Sequence, residues 1–342
     1  MDPALEKESQ ALQRMWDRHD AADLRDYLVA SVEDPRLNLS SILTRHFLVE
    51  LLCGNEFAAL QDAEIRFSMV MNWMLQRFEH PMIDEDVESL RAGLRRPMAV
   101  VEGVTLPAFL HAVYMRLPEK IGELEVPNYL DQLLTPDLLA MTPVRMPEAV
   151  LNTFAALWRQ ALASREAPRL SVLEAACGSA NDYRFWESFG LARFLDYTGF
   201  DLCEKNVVNA RALCPQARFE VGNVLEMIEY GDKSVDVLVA HDLFEHLSPA
   251  ALERSLEEVT RVARKALVFG FFQMHEESDH LVRPVDEYHW NRLSLPRVRE
   301  RLEKAGFEAQ AIHLDTFLAR RFGGEPTHNA HAYILRAWRC QA

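Results

Sequence analysis

The sequence predicts an α/β fold: a doubly wound, seven-stranded, mostly parallel sheet with an antiparallel C-terminal hairpin, preceded by an all-α N-terminal domain. Three observations predict it. From Leu170 onward, short apolar strands alternate with helical segments, which is typical of parallel strands joined by right-handed crossovers. Residues 4–116 show helical periodicity and no competing strand pattern. The last two strand candidates have no helical pattern between them, which favours an antiparallel pair.

Apolar residues in the N-terminal region recur at three- and four-residue spacing, which predicts amphipathic helices. Its aromatic and methionine side chains are open to three interpretations: a lid and cavity for a substrate, a homodimer interface, or an ordinary helical core. The side chains concerned are Trp16, Met69, Met71, Trp73, Met74 and Phe78.

The chain has 342 residues, which suggests two domains. We place the helical domain at 1–165 and the α/β domain at 166–342. Within the first, five prolines predict a link of short helical pieces at about 118–147. A further helix is predicted over about 147–163, just before the first strand.

Seven strands and four helices are predicted in the second domain. The strands are 170–175, 196–200, 218–221, 235–240, 266–272, 308–314 and 330–336. The helices lie near 183–189, 204–213, 249–263 and 296–305. Residues 316–329 join the last two strands and contain Gly323-Gly324, so we expect a hairpin at one edge of the sheet.

Composition narrows the classes of partner and the compartment. The net charge is −15, and no basic patch offsets it, so a nucleic-acid substrate is disfavoured. No long apolar run predicts a membrane span, and the polar, acidic N-terminus is unlike a signal peptide. The five cysteines are scattered without a Cys-x-x-Cys pair, which fits a reducing cytoplasm.

The most informative segment is 170–182, in which an apolar run ends at Glu174 and a turn of small residues leads into a helix. This layout presents backbone N–H groups to a nucleotide-like cofactor. Gly178 is the single glycine of the turn, and Ala176 and Ala180 stand where glycines are expected. The turn alone leaves the identity of the cofactor open.

Three later landmarks follow the turn in order. Asp201 ends the second strand 23 positions after Gly178, where a carboxylate accepts hydrogen bonds from the ribose hydroxyls of NAD or of S-adenosylmethionine. Asn223 and Val224 follow the third strand. The fourth strand runs into His241-Asp242-Leu243-Phe244-Glu245-His246.

Together these landmarks resemble the class I S-adenosylmethionine-dependent methyltransferases over about residues 166–342. The resemblance implies a Rossmann-like domain with S-adenosylmethionine as cofactor and S-adenosylhomocysteine as product. It places the methionine part against Glu174, Ala176, Cys177, Gly178 and Ser179, the ribose at Asp201, the adenine at Leu202, Asn223 and Val224, and His241 beside the cofactor. The family usually has Gly-x-Gly-x-Gly in the turn, so the two alanines put the affinity in question. For Asn223 the alternative is a turn residue.

The stretch after the fourth strand lacks the Asn/Asp-Pro-Pro-Tyr of amino-methylating nucleic-acid and protein-glutamine enzymes. It is similar to the Leu-Glu-His-Leu variety of small-molecule methyltransferases, so we expect a small-molecule acceptor, methylated at a hydroxyl. A general base helps when the acceptor is a hydroxyl. His241 is the first candidate, followed by His275 and His289; for each, the alternative is a hydrogen-bonded loop residue.

A weak metal candidate overlaps this segment. Asp242, Glu245 and His246 share one face of a helical turn and have ligand types that suit Mg²⁺ or Zn²⁺. The alternative is that Glu245 and His246 orient the helix that opens at Pro249. We favour the alternative and predict no metal.

Two rivals to methyl transfer remain open at this point. An NAD-dependent oxidoreductase is disfavoured by the single-glycine turn and by the antiparallel hairpin. A non-catalytic S-adenosylmethionine-binding protein is kept in view by the two alanines of the turn.

Overall fold

The computed structural model describes residues 1–18, 36–77, 119–126, 148–285, 287–322 and 329–340. Its centre is a seven-stranded sheet in the order β6-β7-β5-β4-β1-β2-β3, with every strand parallel except β7. The strands are β1 Leu170–Ala175, β2 Leu195–Asp201, β3 Arg218–Val221, β4 Val235–His241, β5 Ala263–Phe271, β6 Phe307–His313 and β7 Tyr333–Arg339. The predicted fold class, including the antiparallel terminal pair, is confirmed.

Nine α-helices occur among the described residues, and none of them has both the length and the apolar character to span a bilayer. They are α1 Pro3–Asp17, α2 Leu39–Cys53, α3 Ala58–Arg77, α4 Glu148–Ala163, α5 Asn181–Ser188, α6 Glu204–Leu213, α7 Pro249–Val262, α8 Leu295–Lys304 and α9 Leu314–Phe322. The predicted helices at 4–116 are confirmed where the structure describes that region; residues 19–35 and 78–118 lie outside the described residues.

Helix α9 contradicts the expectation of a helix-free connection between the last two strands. Leu314 and Leu318, four residues apart, are both buried, so an apolar helical face does exist there. Gly323-Gly324 lies outside the described residues, as do residues 325–328 of the predicted connection.

Strand β5 begins three residues earlier than predicted, because two of its first three residues are charged and do not extend the apolar run. Arg264 and Lys265 are half exposed and both pair with Asp236 at the start of β4. Charged residues that pair between neighbouring strands leave no apolar pattern in the sequence. In the predicted proline-rich link, residues 119–126 form a small antiparallel pair rather than a helical piece, and the rest of the link is outside the described residues.

The N-terminal helices and the sheet share one apolar core. One face of the sheet packs against α2, α3, α4, α5, α6 and α9, and the opposite face packs against α7 and α8. Phe47 of α2 is fully buried, and its ring lies edge-on to Trp338 of β7, with 5.3 Å between centroids. Met69 is buried in this core, which favours the core interpretation for that residue; the side chains of 70–78 are outside the described set.

The strand order creates a crevice at the carboxyl end of the sheet. From β1 the chain proceeds to β2 and β3 on one side and then returns to β4 on the other. Crossovers that leave in opposite directions open a gap between the two strands, where ligands of open α/β sheets bind. The turn after β1 and His241 at the end of β4 therefore meet at this crevice.

Candidate functional site

The turn after β1 has left-handed backbone at alternate residues. Ala176, Gly178 and Ala180 have φ values of 56°, 52° and 68°. Residues with a Cβ disfavour positive φ, yet both alanines adopt it here. Left-handed backbone costs a residue with a Cβ about 1–2 kcal/mol. The turn therefore holds backbone strain, as functional turns often do.

Asp201, the last residue of β2, is hydrogen-bonded to this turn. One carboxylate oxygen accepts a hydrogen bond from the Gly178 N–H at 2.9 Å. The other accepts from the Cys203 N–H at 2.8 Å and from the Asn206 side chain at 3.3 Å. A carboxylate has about four acceptor positions, so Asp201 has one left for a ligand. Its pKa is raised by burial, although these hydrogen bonds counteract the rise.

A ligand fits beside the turn. The hydroxyl of Ser179 is buried, with 1% of the residue exposed, and has no hydrogen-bond partner. A Cβ added to Gly178 would meet nothing within 4 Å. Buried polar atoms are normally satisfied, so the orphaned hydroxyl and the adjoining open space together suit a polar ligand. The neighbouring Cys177 is buried, with its side chain against Gly199.

Glu174 lies at the end of β1, 4% exposed, and accepts a hydrogen bond from the Tyr197 hydroxyl at 2.5 Å. Burial raises its pKa to about 8, with a further contribution from the negative charge of Asp182. The carboxyl group is therefore mostly protonated at neutral pH. A cationic group bound next to it would favour the ionised form.

His241 has both ring nitrogens engaged. Nδ1 lies 2.7 Å from Asp182, and Nε2 lies 2.9 Å from the Thr44 hydroxyl of α2. The ring packs flat against Gly270, where any Cβ would come within 2.7 Å of it. Burial alone would lower the pKa of His241, but the charge and hydrogen bond of Asp182 outweigh it and raise the pKa to about 9. A protonated, fully bonded imidazole does not suit the general-base role expected of His241.

Asn223 is engaged in its own turn and with helix α1. Its side-chain oxygen accepts from the Leu225 N–H at 3.0 Å, and its side-chain nitrogen donates to the Ser9 hydroxyl at 3.0 Å. The first contact matches the turn interpretation of Asn223. Val224 is buried in the core, and Leu202 is half-buried next to Asp201.

Helix α1 lies across the carboxyl end of the sheet. Besides the Ser9 contact, Glu8 accepts hydrogen bonds from both the N–H and the hydroxyl of Ser248, at 2.9 and 2.5 Å. Lys205 donates to the carbonyl of Asp17 at 2.6 Å. The helix thus contacts the segments that follow β2, β3 and β4. Sequence reasoning missed this, because contacts across more than 180 residues have no local signal.

Glu245 and His246 bind separate partners. Glu245 is fully buried and accepts from the Phe272 and Gln273 N–H groups at 2.9 and 3.3 Å, joining the loop after β4 to the loop after β5. His246 Nδ1 bonds to the carbonyl of His289 at 3.1 Å. No group of three metal-binding side chains occurs in the part of the chain that the structure describes. The arrangement fits the orienting role for Glu245 and His246. The backbone of Asp242 is left-handed, with φ 48°.

The loop after β5 brings several rings together. His246 lies 5.4–5.8 Å from the rings of Phe272, Tyr288 and Trp290. His275 and His289, the other predicted bases, belong to this loop, and each has a buried Nδ1 without a partner. These two histidines thus belong to a different segment from His241, which ends β4.

The sequence of this chain is similar to those of known methyltransferases. Residues 173–269 match the model of a family described as a methyltransferase domain. A probable S-adenosylmethionine-dependent methyltransferase of Mycolicibacterium smegmatis is 33% identical over 157 residues, which cover 44% of this chain and 56% of that protein. The chain thus matches a little over half the length of this relative.

Two solved structures are also similar to this chain. Magnesium protoporphyrin IX methyltransferase from Synechocystis PCC 6803 is 18% identical with a TM-score of 0.37, covering 54% of this chain and 77% of that one. 1,6-Didemethyltoxoflavin-N1-methyltransferase from Burkholderia thailandensis is 17% identical with a TM-score of 0.39, covering 55% and 76%. The segment that matches the methyltransferase-domain model, residues 173–269, contains the turn after β1, Asp201, Asn223 and His241.

Proposed function

We propose that this chain transfers the methyl group of S-adenosylmethionine to the hydroxyl of a small-molecule acceptor. The observation that carries the proposal is the turn after β1, where the orphaned Ser179 hydroxyl and open space beside Gly178 lie at the crevice of the sheet. When bound, S-adenosylmethionine supplies an electrophilic methyl group on a sulfonium.

In this proposal, the residues of the chain bind S-adenosylmethionine and orient it toward the acceptor. Glu174, Ala176, Cys177, Gly178 and Ser179 would hold the methionine part, with the Ser179 hydroxyl gaining its missing partner. Asp201 would accept from the ribose with its remaining acceptor position, while its other hydrogen bonds keep the turn in place. In-line displacement needs alignment above all, and holding two reactants in line lowers the barrier by about 7–11 kcal/mol in favourable cases.

The adenine would lie near Leu202, Asn223 and Val224, with helix α1 alongside. Because Asn223 already bonds to Ser9 and Leu225, its role toward adenine requires one further hydrogen bond to its amide oxygen.

The acceptor site is proposed in the loop after β5. His246, Phe272, Tyr288 and Trp290 offer aromatic surface, and Trp290 is 40% exposed. The unpartnered Nδ1 of His275 or of His289 suits a proton acceptor better than His241 does. An aromatic, hydroxylated acceptor is the class that this surface favours.

A turnover assay tests the proposal. The protein is incubated with methyl-labelled S-adenosylmethionine and a panel of phenolic, aliphatic hydroxyl and amine compounds. Label in a phenolic product supports it, and label in amines alone would overturn the hydroxyl preference. Binding of S-adenosylhomocysteine without transfer to any acceptor would favour the non-catalytic alternative, which the strained Ala176 and Ala180 support. Binding of NAD⁺ instead would point to the oxidoreductase.

A further inference from the structure

A chain of hydrogen bonds connects helix α2 to the turn after β1. The Thr44 hydroxyl of α2 is 2.9 Å from Nε2 of His241, and Asp182 lies 2.7 Å from Nδ1 of the same ring. Asp182 is the second residue of α5, the helix that continues directly from the turn.

The order Thr44, His241, Asp182 has the form of a nucleophile–histidine–acid triad. A nucleophile must reach a substrate, and Thr44 has no exposed surface. Its neighbour His241 is held protonated by Asp182, so it has no lone pair with which to activate the hydroxyl. The Thr44 oxygen therefore accepts a hydrogen bond from the imidazolium, and the arrangement holds groups in place.

The imidazolium joins four elements. It belongs to β4, pairs with Asp182 of α5, bonds to Thr44 of α2 and packs against Gly270 of β5. The titratable groups that act on it most strongly are acids: Asp182, Glu174 of β1 and Asp242 at the end of its own strand. Among the described residues, α2 supplies its neutral side-chain partner, so an N-terminal helix completes the network that the α/β domain begins.

We propose that Thr44 is a positioning residue of the cofactor site, which holds the Asp182–His241 pair and, through it, the turn at Ala176–Ala180 in its binding geometry. This inference deepens the proposed function and rests on it. Valine has nearly the shape of threonine but accepts no hydrogen bond. Thr44→Val thus leaves the Nε2–H of a buried cation unsatisfied, next to the start of α5.

Two measurements on the full chain test the inference. Calorimetric titration with S-adenosylhomocysteine should show Kd raised about tenfold in Thr44→Val, the size of effect expected from one unsatisfied buried donor. Thr44→Ser, which keeps the hydroxyl, should retain the wild-type Kd. Thr260→Val is the matched control, because the buried Thr260 hydroxyl bonds only within α7. NMR of the His241 ring should show that its pKa falls in Thr44→Val and not in the other two variants.

The possible outcomes distinguish a failure of this inference from a failure of the proposed function. If the wild type binds S-adenosylhomocysteine and Thr44→Val binds it equally well, the positioning role is wrong. Equal losses in Thr44→Val and Thr260→Val would also overturn it, since general destabilisation would then explain both. If the wild type binds no S-adenosylhomocysteine, the proposed function fails. The NMR arm still decides whether Thr44 holds His241: an unchanged ring pKa means that it does not.

Discussion

Glu174 shows how one buried acid can couple this site to pH. Its pKa of about 8 lies well above the ordinary value because it is buried and faces Asp182. If the cationic amino group of the methionine part binds there, Glu174 must lose its proton. Binding near neutral pH would then release protons, which titration in buffers of different ionisation enthalpy can detect.

The same acid sets a pH dependence of stability. The folded state keeps a proton on Glu174 between the unfolded pKa of 4.5 and about 8, so this group lowers stability as pH rises through that window. We predict that Glu174→Gln, which cannot ionise, is close to wild type at about pH 5 and more stable than wild type at about pH 8.5. Urea unfolding at the two pH values measures this. Glu229→Gln is the control, an exposed residue; a pH-independent difference for Glu174→Gln would contradict the account.

At the scale of elements, the turn after β1 and helix α5 act as one unit. Its two left-handed alanines are the strained points of that unit. We predict that Ala176→Gly and Ala180→Gly each raise the free energy of unfolding by up to about 1 kcal/mol, the relief of strain less the entropy that glycine gains in the unfolded chain. Chemical denaturation measures the change.

The control for the turn is Ala156→Gly, at an exposed position in the middle of helix α4, where glycine should destabilise by roughly 0.5–1 kcal/mol. We expect glycine to raise the free energy of unfolding at the two turn positions and to lower it in helix α4. Destabilisation at Ala176 and Ala180 as well would mean that the left-handed backbone is not the native state of the turn.

How far the sequence predicts each element follows from the range of its interactions. Strand β1, the turn and Asp201 depend on neighbours in sequence, and their bounds or order were predictable from apolar runs and spacing. Helix α1 over the crevice and Thr44 beside His241 depend on contacts 188 to 240 residues away. Such contacts leave no periodic pattern, so the sequence does not reveal that both ring nitrogens of His241 have hydrogen-bond partners.

At the scale of the whole molecule, a buried ion pair connects the N-terminal helices to the rest of the core. Arg45 of α2 and Glu64 of α3, each 1% exposed, are paired, and Glu64 also accepts from Trp158 of α4 at 2.7 Å. The Arg45 guanidinium lies 4.2 Å from the ring of Phe189, directly after α5. The pair thus joins three helices to the helix that carries the cofactor turn.

We predict that Glu64→Gln lowers the free energy of unfolding by roughly 3–5 kcal/mol, because it leaves the Arg45 charge buried without a counter-ion. Asp62→Asn is the control from the same helix; its partly exposed pairs with Arg66 and Arg321 should contribute no more than about 1 kcal/mol. Since the core is shared, unfolding should be one cooperative transition that shifts as a whole. Two separate transitions, only one of which moves, would show independent domains.

The central claim is that S-adenosylmethionine binds at the turn after β1 with its ribose on Asp201. Calorimetric titration of the full chain with S-adenosylhomocysteine, beside Asp201→Ala and Asp196→Ala, tests it most directly. Asp196 is an exposed residue at the opposite end of the same strand and serves as the matched control. The account predicts that the wild type and Asp196→Ala bind alike and that Asp201→Ala binds at least about tenfold more weakly, since a ligand hydrogen bond to a charged group is lost together with the anchor of the turn. Equal affinity in all three proteins, or no binding by the wild type, would contradict it.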